Sequence, residues 1–186
     1  MENVQSKQIG RDSSHSSKFS YNSNNPNYPC DVLDFKHKEF CYKYKGVSNV
    51  VLAQGDFFKA FKGCLNIDTK YQEACFFGVG TDIPGPFWSS GTAAEKCDTA
   101  LNVDPRAYPQ CILGAMSFIA ELNLGDMQSA VDFCAIIKVE YKDICYRATG
   151  ENYKNWVTPE DPLSKKCALF SNLHARSICN NPNEKS

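Results

Sequence analysis

Small apolar side chains recur at helical spacing along most of the chain, between stretches rich in polar and turn-forming residues. Three alanines, Ala60, Ala93 and Ala130, each lie four positions before a cysteine. Spacings of three and four residues put side chains on one face of an α-helix. The pattern predicts helices that pack through small residues. Similar spacings surround a second set of cysteines. Tyr71 and Tyr141 each lie four positions before one of them, and Gly78, Gly114 and Ala148 each lie three positions after one.

The ten cysteines repeat with a regular period, which points to an internal repeat. When they are taken as consecutive pairs, the second members are separated by 34, 36, 34 and 34 residues. Each unit then has room for two helices, with a cysteine in each. The pairs are Cys30 and Cys41, Cys64 and Cys75, Cys97 and Cys111, Cys134 and Cys145, and Cys167 and Cys179.

The repeat divides the chain into an arm and one domain. Residues 1–29 are rich in Ser and Asn, lack an apolar core, and are expected to form a disordered arm or linker. Residues 30–186 are expected to form the repeat domain. Its units are placed at about 30–52, 53–86, 87–123, 124–155 and 156–182.

The segments that lead into the units also alternate. Gly55-Asp56 and Gly125-Asp126 are expected to open the first helices of units two and four. The fifth unit is entered through Thr158, Pro159, Glu160 and Asp161, which predict a helix start with a cap, a proline and an acidic first turn.

Aromatic residues mark the junctions before units three and five, at Phe87 and Trp88 and again at Tyr153 and Trp156. Exposed aromatics in connecting segments can anchor a partner protein. The alternative is that each tryptophan fills the seam between neighbouring units. The sequence does not decide between these two interpretations, and these four residues are candidate partner-binding positions.

The period, the helix pairs and the small contact residues of 30–186 resemble tetratricopeptide-type repeats. Among these they resemble the cysteine-rich secreted arrays in which a disulfide ties the two helices of each hairpin. The Trp and Leu-Gly-x2-Tyr run of the tetratricopeptide consensus is absent. The resemblance implies an all-α fold of five disulfide-stapled antiparallel helical hairpins, stacked as a short right-handed α-solenoid. It implies no activity, because function belongs to sites and not to folds.

Three interpretations of the cysteines compete. In the first, each unit closes its own bridge, so the cysteines pair consecutively. In the second they bind a metal, although short Cys-x2–4-Cys knuckles are absent and only three His are present. The third follows mitochondrial intermembrane-space hairpins with twin Cys-x9-Cys motifs, where an 11-residue interval puts both cysteines on one face of one helix. Pro105 argues against one unbroken helix in unit three.

Charge and motifs narrow the function classes. The formal net charge of −1 excludes a strongly basic nucleic-acid-binding surface. No apolar run is long enough for a transmembrane helix, and residues 1–29 do not form a secretory signal. We therefore expect any export signal or membrane tether to lie in a longer precursor. No catalytic, phosphate-binding or cofactor-binding motif was found, so neither a metal nor a cofactor is expected.

These observations favour a non-enzymatic protein- or peptide-binding or structural module that is secreted, periplasmic or at the cell surface. One alternative is a small-ligand carrier or an enzyme with a pocket between hairpins. Another is a mitochondrial intermembrane-space subunit of a larger complex. A cavity larger than about 300 Å³, lined by apolar groups with a few polar ones, would favour the carrier.

The cysteine period makes a direct prediction for mass spectrometry. Reduction should raise the intact mass by ten hydrogens, because all ten cysteines are expected to be paired. Peptide mapping without reduction should yield five crosslinks, each within one unit. A crosslink between Cys64 and Cys97 would rule out the hairpin arrangement.

Overall fold

The computed structural model describes residues 25–84, 89–123 and 125–184, and these ranges contain nine α-helices and no β-strand. The α-helices are α1 (Phe35–Leu52), α2 (Phe57–Cys64), α3 (Gln72–Thr81), α4 (Ser90–Leu101), α5 (Ala107–Leu122), α6 (Gln128–Ile136), α7 (Lys142–Tyr153), α8 (Leu163–Cys167) and α9 (Leu173–Asn180). The 3₁₀-helices are Cys30–Val32, Thr69–Tyr71, Val139–Tyr141 and Lys154–Trp156.

Five disulfides join consecutive cysteines, and the all-α class with one bridge in each unit is confirmed. The bridged Cα atoms lie 5.5–5.8 Å apart, within the range that a disulfide allows. Each bridge connects two different helices, which excludes two cysteines on one helix face. It also leaves no thiolate for a metal, because none of the ten cysteines is free.

The helices form two rows. The second helices of the units, α1, α3, α5, α7 and α9, each contact the next along the chain. In the other row α2 contacts α4, and α4 contacts α6. Fully buried side chains fill the space between the rows, among them Phe61, Phe76, Ile112 and Phe133. Neighbouring hairpins thus share one continuous core, which is how stacked repeats bury faces that a single hairpin leaves open.

Local signals set the helix starts. The side chain of Asp56 accepts a hydrogen bond from the backbone N–H of Lys59 and caps α2. Ser89 caps α4 and Asn172 caps α9 in the same way. Gly55 and Gly125, which precede the two Asp residues expected at unit starts, have φ of +81° and +86°. A glycine adopts this left-handed conformation without a Cβ penalty.

Glycines set the spacing of the second helices. A Cβ on Gly46 of α1 would lie 2.1 Å from the carbonyl oxygen of Cys75, and one on Gly78 of α3 would lie 1.8 Å from that of Lys43. The next pair repeats this contact, since a Cβ on Gly80 would meet Cys111 and one on Gly114 would meet Phe77. A Cβ on Gly150 of α7 would lie 2.1 Å from the carbonyl oxygen of Cys179. The backbones therefore touch where these glycines lie.

The first unit differs from the others because its first arm is the 3₁₀-helix Cys30–Val32 instead of an α-helix. Pro26 and Pro29 occupy this region, and proline interrupts helical hydrogen bonding. Residues 25–29, expected to belong to the arm, instead pack on the domain. Asn27 Oδ1 accepts hydrogen bonds from the Asp68 N–H (2.9 Å) and the Tyr42 hydroxyl (3.2 Å).

The expected arm limit at residue 29 is therefore too late, because an Asn-rich segment can bind through its amide groups as well as act as a linker. Lys45 Nζ adds a further tie by donating to the carbonyl oxygen of Tyr28 at 3.0 Å. The rest of the expected arm, residues 1–24, lies outside the described residues.

The helix start expected at Thr158 is wrong. Residues 158–161 form a turn instead. The backbone N–H of Thr158 donates to the carbonyl oxygen of Asp161, and the N–H of Asp161 donates to the carbonyl oxygen of Thr158. The helix α8 begins at Leu163. Pro162 explains the difference, because the residue before a proline is disfavoured in the helical conformation.

Gly78→Ala should destabilise the chain by about 2–4 kcal/mol, because the new Cβ collides with backbone that cannot move independently. Gly91→Ala is the matched control, since the nearest atom to its Cβ is a side-chain oxygen 4.0 Å away. It should stabilise α4 by about 0.5–1 kcal/mol. Denaturant unfolding measures both changes, and equal effects would contradict a close backbone contact at Gly78.

Candidate binding surface

Of the four aromatic residues singled out in the sequence, the structure describes two, Tyr153 and Trp156. Phe87 and Trp88 lie outside the described residues. Tyr153 is fully buried, and its hydroxyl donates to the carbonyl oxygen of Asp126 at 2.8 Å. It therefore presents no surface to a partner.

Trp156 is 38% exposed and packs against the backbone of the fourth unit. A Cβ on Gly125 would lie 2.9 Å from Trp156 Cβ, so the indole-bearing residue lies directly over this glycine. Lys166 of the fifth unit also binds this glycine. Its buried Nζ donates a hydrogen bond to the Gly125 carbonyl oxygen at 2.9 Å and forms an ion pair with Asp161 at 2.7 Å. These contacts are those of a seam between units.

A surface groove lies at the other end of the array, where α1, the Thr69–Tyr71 turn and α3 meet. Its volume is about 500 Å³, and Gln110 of α5 closes one side. We call it the lysine–aromatic groove after its lining: the lysines Lys36, Lys43 and Lys70, the aromatics Phe35, Tyr71 and Phe77, and the carboxylates Glu39 and Glu73, together with Ala74 and Gln110.

Cation–π contacts organise the groove. Lys43 Nζ lies 4.7 Å from the centroid of the Phe77 ring. Lys70 Nζ lies 4.7 Å from the Phe35 ring and 5.4 Å from the Tyr71 ring. Such contacts hold an ammonium group over an aromatic face while leaving its other hydrogens free to donate. Phe35 is nevertheless 74% exposed, so a large apolar ring is available to a ligand.

The carboxylates of the groove have partners of their own. Glu39 lies 3.3 Å from Lys43 Nζ, one helical turn away on α1. The Glu73 carboxylate accepts a hydrogen bond from the Gln110 side chain at 3.2 Å. Lys36 and Lys70 also bring positive charge to the groove. Neither lysine takes part in an ion pair between residues that the structure describes.

A stacked pair of tyrosine rings lies next to the groove. The rings of Tyr42 and Tyr71 lie 4.4 Å apart and nearly parallel. Burial, and then the nearby carboxylates of Asp31 and Asp68, raise the pKa of Tyr42 to about 12. The stack fixes the Thr69–Tyr71 turn against α1 and so sets the position of Lys70.

The groove offers charged and aromatic side chains but no metal-ligand cluster or free thiol among the described residues. Within residues 25–84, 89–123 and 125–184 no group of three His, Cys, Asp or Glu side chains could hold a metal ion. All ten cysteines are in disulfides and offer no nucleophilic thiol. None of the helices described is long and apolar enough to cross a membrane. What the groove presents is cationic donors next to aromatic faces.

Sequence reasoning did not find this groove. Its residues come from α1, the 3₁₀-helix Thr69–Tyr71, α3 and α5. Some of them are equivalent in the repeat, since Lys43 and Phe77 both lie two positions after a second cysteine, but the cysteine period does not indicate that they form one surface. The available signal is the repeated placement of lysine beside an aromatic residue, at Phe35-Lys36 and Lys70-Tyr71. That signal is weak, because lysine and tyrosine also alternate on ordinary solvated helix faces.

The raised pKa of Tyr42 predicts a loss of stability at alkaline pH. A group whose pKa is raised by folding contributes stability that is present below about pH 10 and lost as the pH rises towards 12. The denaturation midpoint should fall over this range, and should fall less in Tyr42→Phe. Tyr42→Phe should also lose about 1 kcal/mol at neutral pH with its hydrogen bond to Asn27.

Burial also raises the pKa of Tyr108 and Tyr153, so a smaller decline should remain in Tyr42→Phe. A pH profile identical in the wild type and Tyr42→Phe would contradict the role assigned to Tyr42.

The chain was also compared with known proteins. No protein-family model matches it, and the searches of curated proteins and of solved structures gave no significant match.

Proposed function

We propose that this chain is a non-enzymatic protein- or peptide-binding repeat module that works in an oxidising compartment outside the cytoplasm, secreted, periplasmic or at the cell surface. Five disulfides support the compartment, because such bridges persist where thiols are not kept reduced. The row of contacting helical hairpins supports the binding role, since stacked hairpins commonly present a surface to a peptide or a protein.

The lysine–aromatic groove is the observation on which the proposal rests. It brings three lysines and three aromatic rings together on one open surface. Aromatic side chains are enriched at protein interfaces, and the lysines beside them supply charged hydrogen-bond donors for an acidic group. The groove is set by the Tyr42–Tyr71 stack, so a ligand meets a surface that is already arranged.

The ligand that fits this lining is a peptide segment with an acidic side chain near an aromatic or aliphatic one. A carboxylate of the peptide would accept hydrogen bonds from Lys36 or Lys70, and an apolar side chain would cover the exposed ring of Phe35. Glu39 and Glu73 in the same lining oppose a polyanion such as nucleic acid, as does the net charge of −1.

The groove supports a peptide ligand over the alternative of a small-molecule carrier. A carrier encloses most of its ligand in a mainly apolar cavity. The lysine–aromatic groove is large enough, at about 500 Å³, but it is open to solvent and lined by five charged side chains. This lining suits a segment of a larger molecule that lies along the surface.

A displayed library of random peptides, selected on the immobilised full-length chain, should enrich sequences that combine Asp or Glu with an aromatic residue. Lys43→Glu and Lys70→Glu should each weaken binding of a selected peptide by at least about tenfold, because they reverse charge inside the groove. Isothermal titration calorimetry measures the dissociation constants.

Lys62→Glu is the matched control, since Lys62 is an exposed lysine of α2 that does not line the groove. It should leave binding within about twofold of the wild type because its charge lies on the solvent face. The proposal fails if no peptide is enriched, or if Lys62→Glu weakens the selected peptides as much as Lys43→Glu does.

A further inference from the structure

The helix α1 carries an apolar stripe that nothing in the described chain covers. Its residues are Phe40, Tyr44, Val47 and Val51, separated by four, three and four positions, which places them on one helix face. Phe40 is 54% exposed, Tyr44 43% and Val51 71%, while Val47 is half-buried. The Phe40 and Tyr44 rings already pack edge to face, with centroids 4.9 Å apart.

The repeat explains why this face is open. Tyr44 lies three residues after Cys41, and the equivalent residues of the next two units are Gly78 and Gly114. Each of these glycines lies against the carbonyl of the preceding second helix. No second helix precedes α1 among the described residues, so Tyr44 occupies a helix-pairing position without a helix. The stripe continues the interface that joins the other second helices.

The two ends of the row are unlike each other. At the far end, the residues two and five positions after Cys179 are Asn181 and Glu184, both exposed. The equivalent residues of α3 are Phe77 and Gly80, and both face the next helix, α5. The carbonyl oxygen of Phe77 lies against Gly114 there. Because α9 ends at Asn180, the far end of the row lacks the helical turn that carries these positions in α3 and offers no matching helix face to the Tyr44 stripe of a next copy, which opposes an open-ended filament.

The stripe is complementary to itself when two copies run antiparallel. A two-fold axis midway between Tyr44 and Val47 places Phe40 opposite Val51 of the other copy, and Tyr44 opposite Val47. Each large ring then meets a small β-branched side chain, as the alternating layers of an antiparallel helix pair require. The flanking charges are compatible, because Lys43 faces Ser48 and Glu39 faces Leu52. No like charges are brought together.

We propose that the occupant of this stripe is a second copy of the chain, and that the protein forms a two-fold dimer through antiparallel α1 helices. Closed two-fold pairing is the commonest form of self-association. The dimer does not depend on the peptide-binding role proposed above. Its effect on that role would be to hold two lysine–aromatic grooves together, because Lys36 and Lys43 of the groove flank the stripe.

Sedimentation equilibrium of the full-length chain, over a wide range of concentration, tests the pairing. The wild type should dimerise reversibly. Phe40→Lys and Val51→Asp alone should each raise the dimer dissociation constant by at least about tenfold, because each places a charge against an apolar side chain. The double variant F40K/V51D should recover much of this loss, since the introduced lysine of one copy then faces the introduced aspartate of the other.

Leu173→Lys is the matched control, an exposed apolar residue at the far end that should leave dimerisation unchanged. Circular dichroism verifies folding, and the substituted side chains of all these variants are exposed. A wild type that is monomeric at every concentration overturns the proposal and leaves residues 1–24 or another protein as the occupant. A dimer insensitive to Phe40→Lys overturns the interface, and failure of the double variant to recover overturns the antiparallel register.

Discussion

The contact between the backbones of neighbouring second helices governs the rest of this structure. Gly46 and Gly78 remove the two Cβ atoms that would keep α1 and α3 apart, and Gly80 and Gly114 do the same for α3 and α5. The opposing carbonyls belong to Cys75 and Cys111 or to residues two positions after a second cysteine. The helical turn that contacts the neighbouring unit is therefore also the turn that carries the second cysteine. The disulfide joins the first helix of the unit to this same turn.

The fold class could be predicted from the sequence because its signals are periodic. The cysteine intervals and the alanines four positions before a cysteine indicate helix pairs, and the structure has them. The glycines five positions after the second cysteine, Gly46, Gly80 and Gly150, were an equally regular signal that sequence reasoning missed. The pattern is interrupted at Met116, where a large buried side chain takes the place of glycine between α5 and α7. One exception in a short array hides such a rule.

The candidate surfaces could not be predicted in the same way, because both arise where the repeat is incomplete. Pro26 and Pro29 prevent a full first helix in unit one, and α1 is left at the end of its row. The groove then forms from residues of four different elements, and the stripe is open because no helix precedes α1 within residues 25–184 as the structure describes them. A periodic pattern describes what units share, whereas these surfaces depend on how one unit departs from the others. The failed helix start at Thr158 has a similar origin, since the single residue Pro162 outweighs three favourable neighbours.

The bridges close short loops, with separations of 11 to 14 residues, and none joins one unit to another. Between units the described residues are held by packing, hydrogen bonds and ion pairs such as that of Lys138 with Asp98, and not by a covalent cross-link. Under tension applied at its two ends, the array would come apart at the seams while each hairpin kept its two arms joined. The covalent pattern thus makes the protein a string of short locked loops, whose reach when stretched is set by the connecting segments and not by the full contour of the chain.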